Sequence, residues 1–96
     1  MKMVMVVYAG ASPDRVADLL ASGPTGGYSE FRGIHGAGRS GRREGNRAFP
    51  GESTLFMSIV SPESAAELLQ SLRREAEHLP AGERLHAALL PTETFF

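Results

Sequence analysis

The stretch Leu55-Phe56-Met57-Ser58-Ile59-Val60-Ser61-Pro62-Glu63 (LFMSIVSPE) carries two signals back to back. Leu55, Met57 and Ile59 fall on one side of an extended chain, and Phe56 and Val60 on the other, so Ser53–Val60 reads as a strand with apolar residues on both faces. Ser61-Pro62-Glu63 then reads as a helix start: a serine N-cap, proline at the first helical position and an acid in the first turn. The same order occurs earlier in the chain. The valine- and methionine-rich run Lys2–Tyr8 is a buried strand, and Ser12-Pro13-Asp14 opens a helix with Val16, Leu19 and Leu20 at helical spacing. Two strand–helix halves are therefore expected.

Working outward completes the order. Gly23-Pro24 stops the first helix. Gly27 to His35 alternates, with Tyr28, Glu30, Arg32 and Ile34 on one face and Ser29, Phe31, Gly33 and His35 on the other. Its scattered charges and its glycine mark an edge strand. After Ser61 the second helix shows Ala65, Leu68, Leu69, Leu72 and Ala76 as one apolar stripe. Pro80-Ala81-Gly82 is a turn, Arg84–Leu90 the last strand and Pro91–Phe96 a tail. The order β-α-β-β-α-β predicts a single α+β domain over residues 1–96. Its architecture is a ferredoxin-like sandwich, a four-stranded antiparallel sheet with both helices on one face. The opposite face, apolar on this pattern, is expected to need a partner subunit.

Between the second and third strands lies Gly33–Glu52, GIHGAGRSGRREGNRAFPGE, with six glycines. Between Arg32 and Arg47, Arg32, Arg39, Arg42, Arg43 and Arg47 face the single acid Glu44, which makes this stretch locally cationic in a chain of net charge -1. Glycine lets backbone N–H groups approach an anion, and arginine adds bidentate hydrogen bonds. Gly36, Gly38, Arg39, Ser40, Arg42 and Arg43 are the candidate ligand-binding residues, on a loop of about residues 36–52. The alternative is an arm that docks on another protein without a small ligand. There is no G-x-x-x-x-G-K-[ST], so this is not a P-loop ATPase.

Other chemistry has less to stand on. Glu30, Glu44 and Glu52 surround the loop, but neither Ser40 nor Ser53 has an activating histidine in view, so the protein is not expected to be an enzyme. His35 and His86 are the candidate metal ligands. They lie on strands that should form opposite edges of one sheet, and an assembly could bring His35 of one copy to His86 of the next, with Glu30 adding a carboxylate. Tyr8 and Phe56 are the aromatics on the central strands. They form no RNA-binding motif, and nucleic acid is not an expected partner. The chain has no cysteine, which excludes disulfides and thiolate metal sites. Met3–Ala9 is too short to span a bilayer and carries no cleavage pattern, so a cytoplasmic location without membrane insertion is expected.

The order of elements, with GIHGAGRSGRR after the second strand and AFPGE before the third, resembles the PII-like signal-transduction proteins. The resemblance covers nearly the whole chain in architecture. It is most specific over Gly33–Arg43, which is similar to the G-x-G-R stretch at the base of the long PII loop. Phe49-Pro50-Gly51-Glu52 resembles the return of that loop in the shorter, divergent PII-like subgroup. The resemblance implies a homotrimer that holds a small anionic ligand, such as an adenine nucleotide, in clefts between subunits. It also implies a loop that contacts a target protein. The segment Glu77–Glu83 lacks the lysine and glycines of the second PII phosphate loop (TGxxGDGK), so only half of a nucleotide cradle is implied.

Overall fold

The computed structural model describes residues 1–22, 27–38, 41–43 and 53–96. Its elements are β1 (Lys2–Ala9), α1 (Pro13–Ser22), β2 (Ser29–Ile34), β3 (Gly36–Gly38), β4 (Gly41–Arg43), β5 (Ser53–Val60), α2 (Pro62–Glu77) and β6 (Arg84–Pro91). Four of the strands form one sheet in the order β2-β5-β1-β6, with every neighbouring pair antiparallel. This is the expected ferredoxin-like sheet, with the second and last of its strands at opposite edges. The expected stop at Gly23-Pro24 lies outside the described residues.

The alternation in β1 and β5 sorts their side chains. Val4, Val6 and Tyr8 of β1 and Phe56 and Val60 of β5 are buried, together with Val16, Ala17 and Leu20 of α1 and Ala65, Leu68 and Leu72 of α2. Leu69 and Ala76, also in the expected stripe, pack against this core from its margin. Each large side chain so buried contributes roughly 1.5–3 kcal/mol relative to exposure. Tyr8 and Phe56 are 2% and 0% exposed, so neither ring is available for base stacking.

The other face carries Met3, Met5 and Val7 of β1 opposite Ile59, Met57 and Leu55 of β5. No helix of the described chain covers these side chains, which are half-buried by one another. Phe31, opposite Leu55, is 48% exposed. Beyond β6 the tail begins with a bond from the Thr92 N–H to the Met1 carbonyl (3.3 Å). Phe95 then lines a groove of about 460 Å3 with Met3, Met57 and Ile59 of this face. Among the described residues no helix is long and apolar enough to cross a membrane.

The second helix begins as the sequence implies. Ser61 is extended, and its hydroxyl accepts a hydrogen bond from the Ser64 N–H at 3.1 Å, with Pro62 following. At its far end the Pro80–Glu83 turn closes through a Glu83 N–H to Pro80 carbonyl bond (3.1 Å). Gly82 has φ 86°, the left-handed position that a type II turn reserves for glycine.

Candidate functional site

The candidate site grows out of the end of β2. Ser29, Glu30 and Phe31 pair with Met57, Phe56 and Leu55, but the next recorded pair is Ile34 with Ser53. Three steps along β2 therefore match two along β5, a β-bulge at Arg32 and Gly33. Gly33 has φ 74°, which a residue with a Cβ adopts only at a cost. The bulge corrects the simple alternation expected for Gly27 to His35. Ile34 lies across from Ser53, so it shares the uncovered face with Phe31 rather than the face of Tyr28 and Glu30.

Arg32 sits in the bulge and ties it to its surroundings. Its Nε donates to the Glu30 carboxylate, and its Nη2 donates to Asp14 Oδ1 (2.9 Å) in the first turn of α1. The hydrogen bond to Glu30, then that to Asp14, raises its proton affinity. At the other end of the strand, Ser58 Oγ donates to the Gly27 carbonyl (2.6 Å), and the Tyr28 ring lies 6.0 Å from that of Phe56. The edge strand is thus anchored at both ends.

Beyond His35 the glycine–arginine segment has regular pairing at its base, where the sequence suggested only loop. Gly36, Ala37 and Gly38 pair with Arg43, Arg42 and Gly41 in a separate two-stranded antiparallel ribbon. Gly36, Gly38, Arg42 and Arg43 are thereby placed by their backbone in one ribbon. Arg39, Ser40 and the return segment Phe49-Pro50-Gly51-Glu52 lie outside the described residues.

The ribbon leaves from one end of the main sheet. Ile34, Ser53, Ala9 and Arg84 form a cross-strand row there. The entry to α1 and the Pro80–Glu83 turn adjoin the same row. A polar cluster that local sequence patterns do not reveal holds these two together. Tyr8 Oη donates to Glu83 Oε1 (2.6 Å) and accepts from the Ser12 N–H (3.0 Å), while the Ala11 N–H donates to Glu83 Oε2 (3.2 Å). Burial, followed by the bond to Glu83, pushes the Tyr8 hydroxyl up to about 12. Gly10 suits this closeness, since a Cβ there would stand 2.6 Å from Glu83 Cδ and would also strike Tyr8 Oη, so that the ends of those side chains would have to shift. Glycine after the first strand was the available signal, but its partner lies more than seventy residues away in sequence.

The candidate metal ligands do not meet within one protomer. His35 follows β2 at one edge of the sheet and His86 lies in β6 at the other; both are exposed. Among the described residues no three His, Asp or Glu side chains gather as a metal-binding group.

No family model matches the chain, and no curated protein does. Solved structures do. A DUF3240 family protein from Shewanella baltica OS155 superposes with a TM-score of 0.72 at 22% identity, over 99% of this chain and 93% of that one. CPII, a nitrogen regulatory PII-like protein from Thiomonas intermedia K12, gives 0.67 at 21% identity, over 93% of this chain and 86% of that one; its structure holds ADP, AMP and bicarbonate. A protein assigned to PII-like signaling from Thermus thermophilus gives 0.63 at 22% identity, over 92% and 82% of the two chains. The fold of this chain is the PII-like fold.

Proposed function

We propose that this chain is a divergent PII-like regulatory protein, without enzymatic activity, that senses a small anionic ligand. The ligand class favoured is an adenine nucleotide, ADP or AMP, because CPII holds these together with bicarbonate in the same fold. Backbone amides at Gly36 and Gly38 approach the anion, and Arg39, Ser40, Arg42 and Arg43 supply the remaining donors. Binding favours one arrangement of the loop, and that arrangement sets affinity for a target protein; the ligand must bind one state better than the other to do so.

The observation that carries this reading is the position of the glycine–arginine ribbon. It leaves an anchored, bulged strand at one end of a PII-like sheet, so its donors are presented from a fixed base. The uncovered face around Met3, Met5, Val7, Leu55, Met57 and Ile59 supports assembly as a homotrimer, in which the ligand sits between subunits. A protein of this kind works in the cytoplasm, without insertion into a membrane.

Calorimetry with ADP, AMP and bicarbonate tests the ligand. Arg39→Ala should weaken nucleotide binding by about 1–3 kcal/mol, as expected for a hydrogen bond to a charged group. Unchanged affinity removes Arg39 from the role, and no heat with any of the three compounds leaves the loop as a protein-docking arm. Light scattering tests the assembly, and a monomer at micromolar concentration defeats the intersubunit site.

A further inference from the structure

We propose that Arg32 is the positioning residue of the candidate site: its ion pairs with Asp14 and Glu30 aim the glycine–arginine ribbon, and its own guanidinium does not touch the ligand. The consequence for binding rests on reading that ribbon as the ligand grip.

The ribbon needs such a residue because little else directs it. β3 and β4 pair with each other, and among the described residues neither joins the main sheet. A single residue, His35, links β2 to β3. One recorded pair, Ile34 with Ser53, stands between the bulge and the ribbon. Within the bulge Gly33 has φ 74°, and glycine leaves the backbone more freedom to turn than any other residue. The direction in which the chain leaves β2 therefore depends on what fastens the bulge from the side.

Arg32 supplies that fastening. Its Nη2 donates to Asp14 Oδ1 at 2.9 Å, and its Nε donates to the Glu30 carboxylate. One guanidinium thus joins the bulge to a neighbouring helix and to its own strand two residues back. The helix end of this link is firm, because Val16, Ala17 and Leu20 of α1 are buried in the core. Arginine suits the task, since its planar fork carries donors in fixed directions, where lysine offers a point charge. An exposed ion pair adds little to global stability, but three charges joined in a network can bias a hinged segment between nearby directions. Such a bias acts on affinity: a ligand that fits one arrangement is bound only by the fraction of molecules that adopt it.

Charge alone predicts the opposite sign. Asp14 is a carboxylate at the base of the ribbon, so its removal should favour an anion there and leave Arg32 with its full charge. A loss of affinity on removing Asp14 is therefore the mark of lost aim.

Two measurements, on the wild-type protein and on Asp14→Ala, test this. Residual dipolar couplings of the Gly36, Ala37 and Gly38 N–H bonds, referred to those of β1 and β5, report the direction of the ribbon, and calorimetry with ADP reports binding. In Asp14→Ala the ribbon couplings should depart from their wild-type values while those of β1 and β5 stay in place. Affinity for ADP should fall about two- to fivefold, the effect of losing one member of an exposed charge network. The urea midpoint should stay close to that of wild type, because the Asp14 side chain is 83% exposed. Ribbon couplings identical in the two proteins, or an ADP affinity equal to or above wild type, overturn the proposal. If the wild-type protein binds no ADP, the reading of the ribbon as a nucleotide grip fails by itself. The couplings then decide alone: a ribbon turned by Asp14→Ala upholds Arg32 as the residue that aims it, and an unmoved ribbon refutes it.

Discussion

The two junctions from strand to helix carry the same Ser-Pro-acid signal and are secured in different ways. At the second, β5 runs directly into Ser61, whose hydroxyl caps α2 three residues on. At the first, Gly10 and Ala11 intervene between β1 and Ser12, and the junction is secured by Tyr8 and by Glu83 from the other end of the chain. One junction is closed locally and can form as soon as its own residues are in place. The other is complete only when β6 has docked beside β1. A local signal of identical composition thus has two meanings, and the difference lies in the packing around it.

The sharpest way to break this contrast is Gly10→Ala. The added methyl displaces Tyr8 Oη or the Glu83 carboxylate, and overpacking with loss of that bond should cost about 3 kcal/mol in denaturant unfolding. A cost below about 1 kcal/mol would mean that the first junction does not depend on the cluster.

A pH series separates the hydroxyl from the packing. The Tyr8 hydroxyl is pushed up to about 12 in the folded protein, against about 10 in the unfolded chain. A raised value means that the folded state favours the neutral form. This stabilisation is complete below about pH 10 and is lost as the pH climbs towards 12, by about 2 kcal/mol. Tyr8→Phe should be less stable at neutral pH and should lack this alkaline loss. Parallel alkaline curves for the two proteins would contradict the arrangement.

Ser61→Ala probes the local junction and should cost about 1 kcal/mol, the usual value of a lost N-cap. If it proves as damaging as Gly10→Ala, the two junctions are not secured differently. The smallest effect is expected at the surface. Asp14→Asn removes one of the two carboxylates that share Arg32, and its shift in melting temperature should be smaller than that of Ser61→Ala and should vanish at high salt.

The same distinction explains what could be read from the sequence. The apolar runs Lys2–Tyr8 and Ser53–Val60, the apolar stripe from Ala65 to Ala76 and the two helix starts are all local, and together they imply the sheet and its helix-covered face. The edge character of β2 was legible in its charges and its glycine. The bulge was not, because Gly33 marks an interruption without saying that the strand resumes one residue out of phase. The ribbon over Gly36–Gly38 and Gly41–Arg43 was hidden by composition, since glycine has little preference for strands and the pairing is short. The residues proposed to bind the ligand were conspicuous by charge and glycine content. Glu83 was not, because nothing near it in sequence announces its partners.

The bulge has one more consequence, for how the chain tolerates changes in length. Because β2 carries an extra residue there, the count between Phe31 and Ile34 works as a phase setting for everything downstream. A plain ladder over the same residues, without the bulge, would turn Ile34 towards the helices and shift the exit of the arginine segment by one residue along β5, although no arginine had been altered; deleting Gly33 would instead straighten the strand and leave Ile34 opposite Ser53. At this one place the spacing of the chain, as much as the chemistry of its side chains, encodes where the guanidinium groups are aimed.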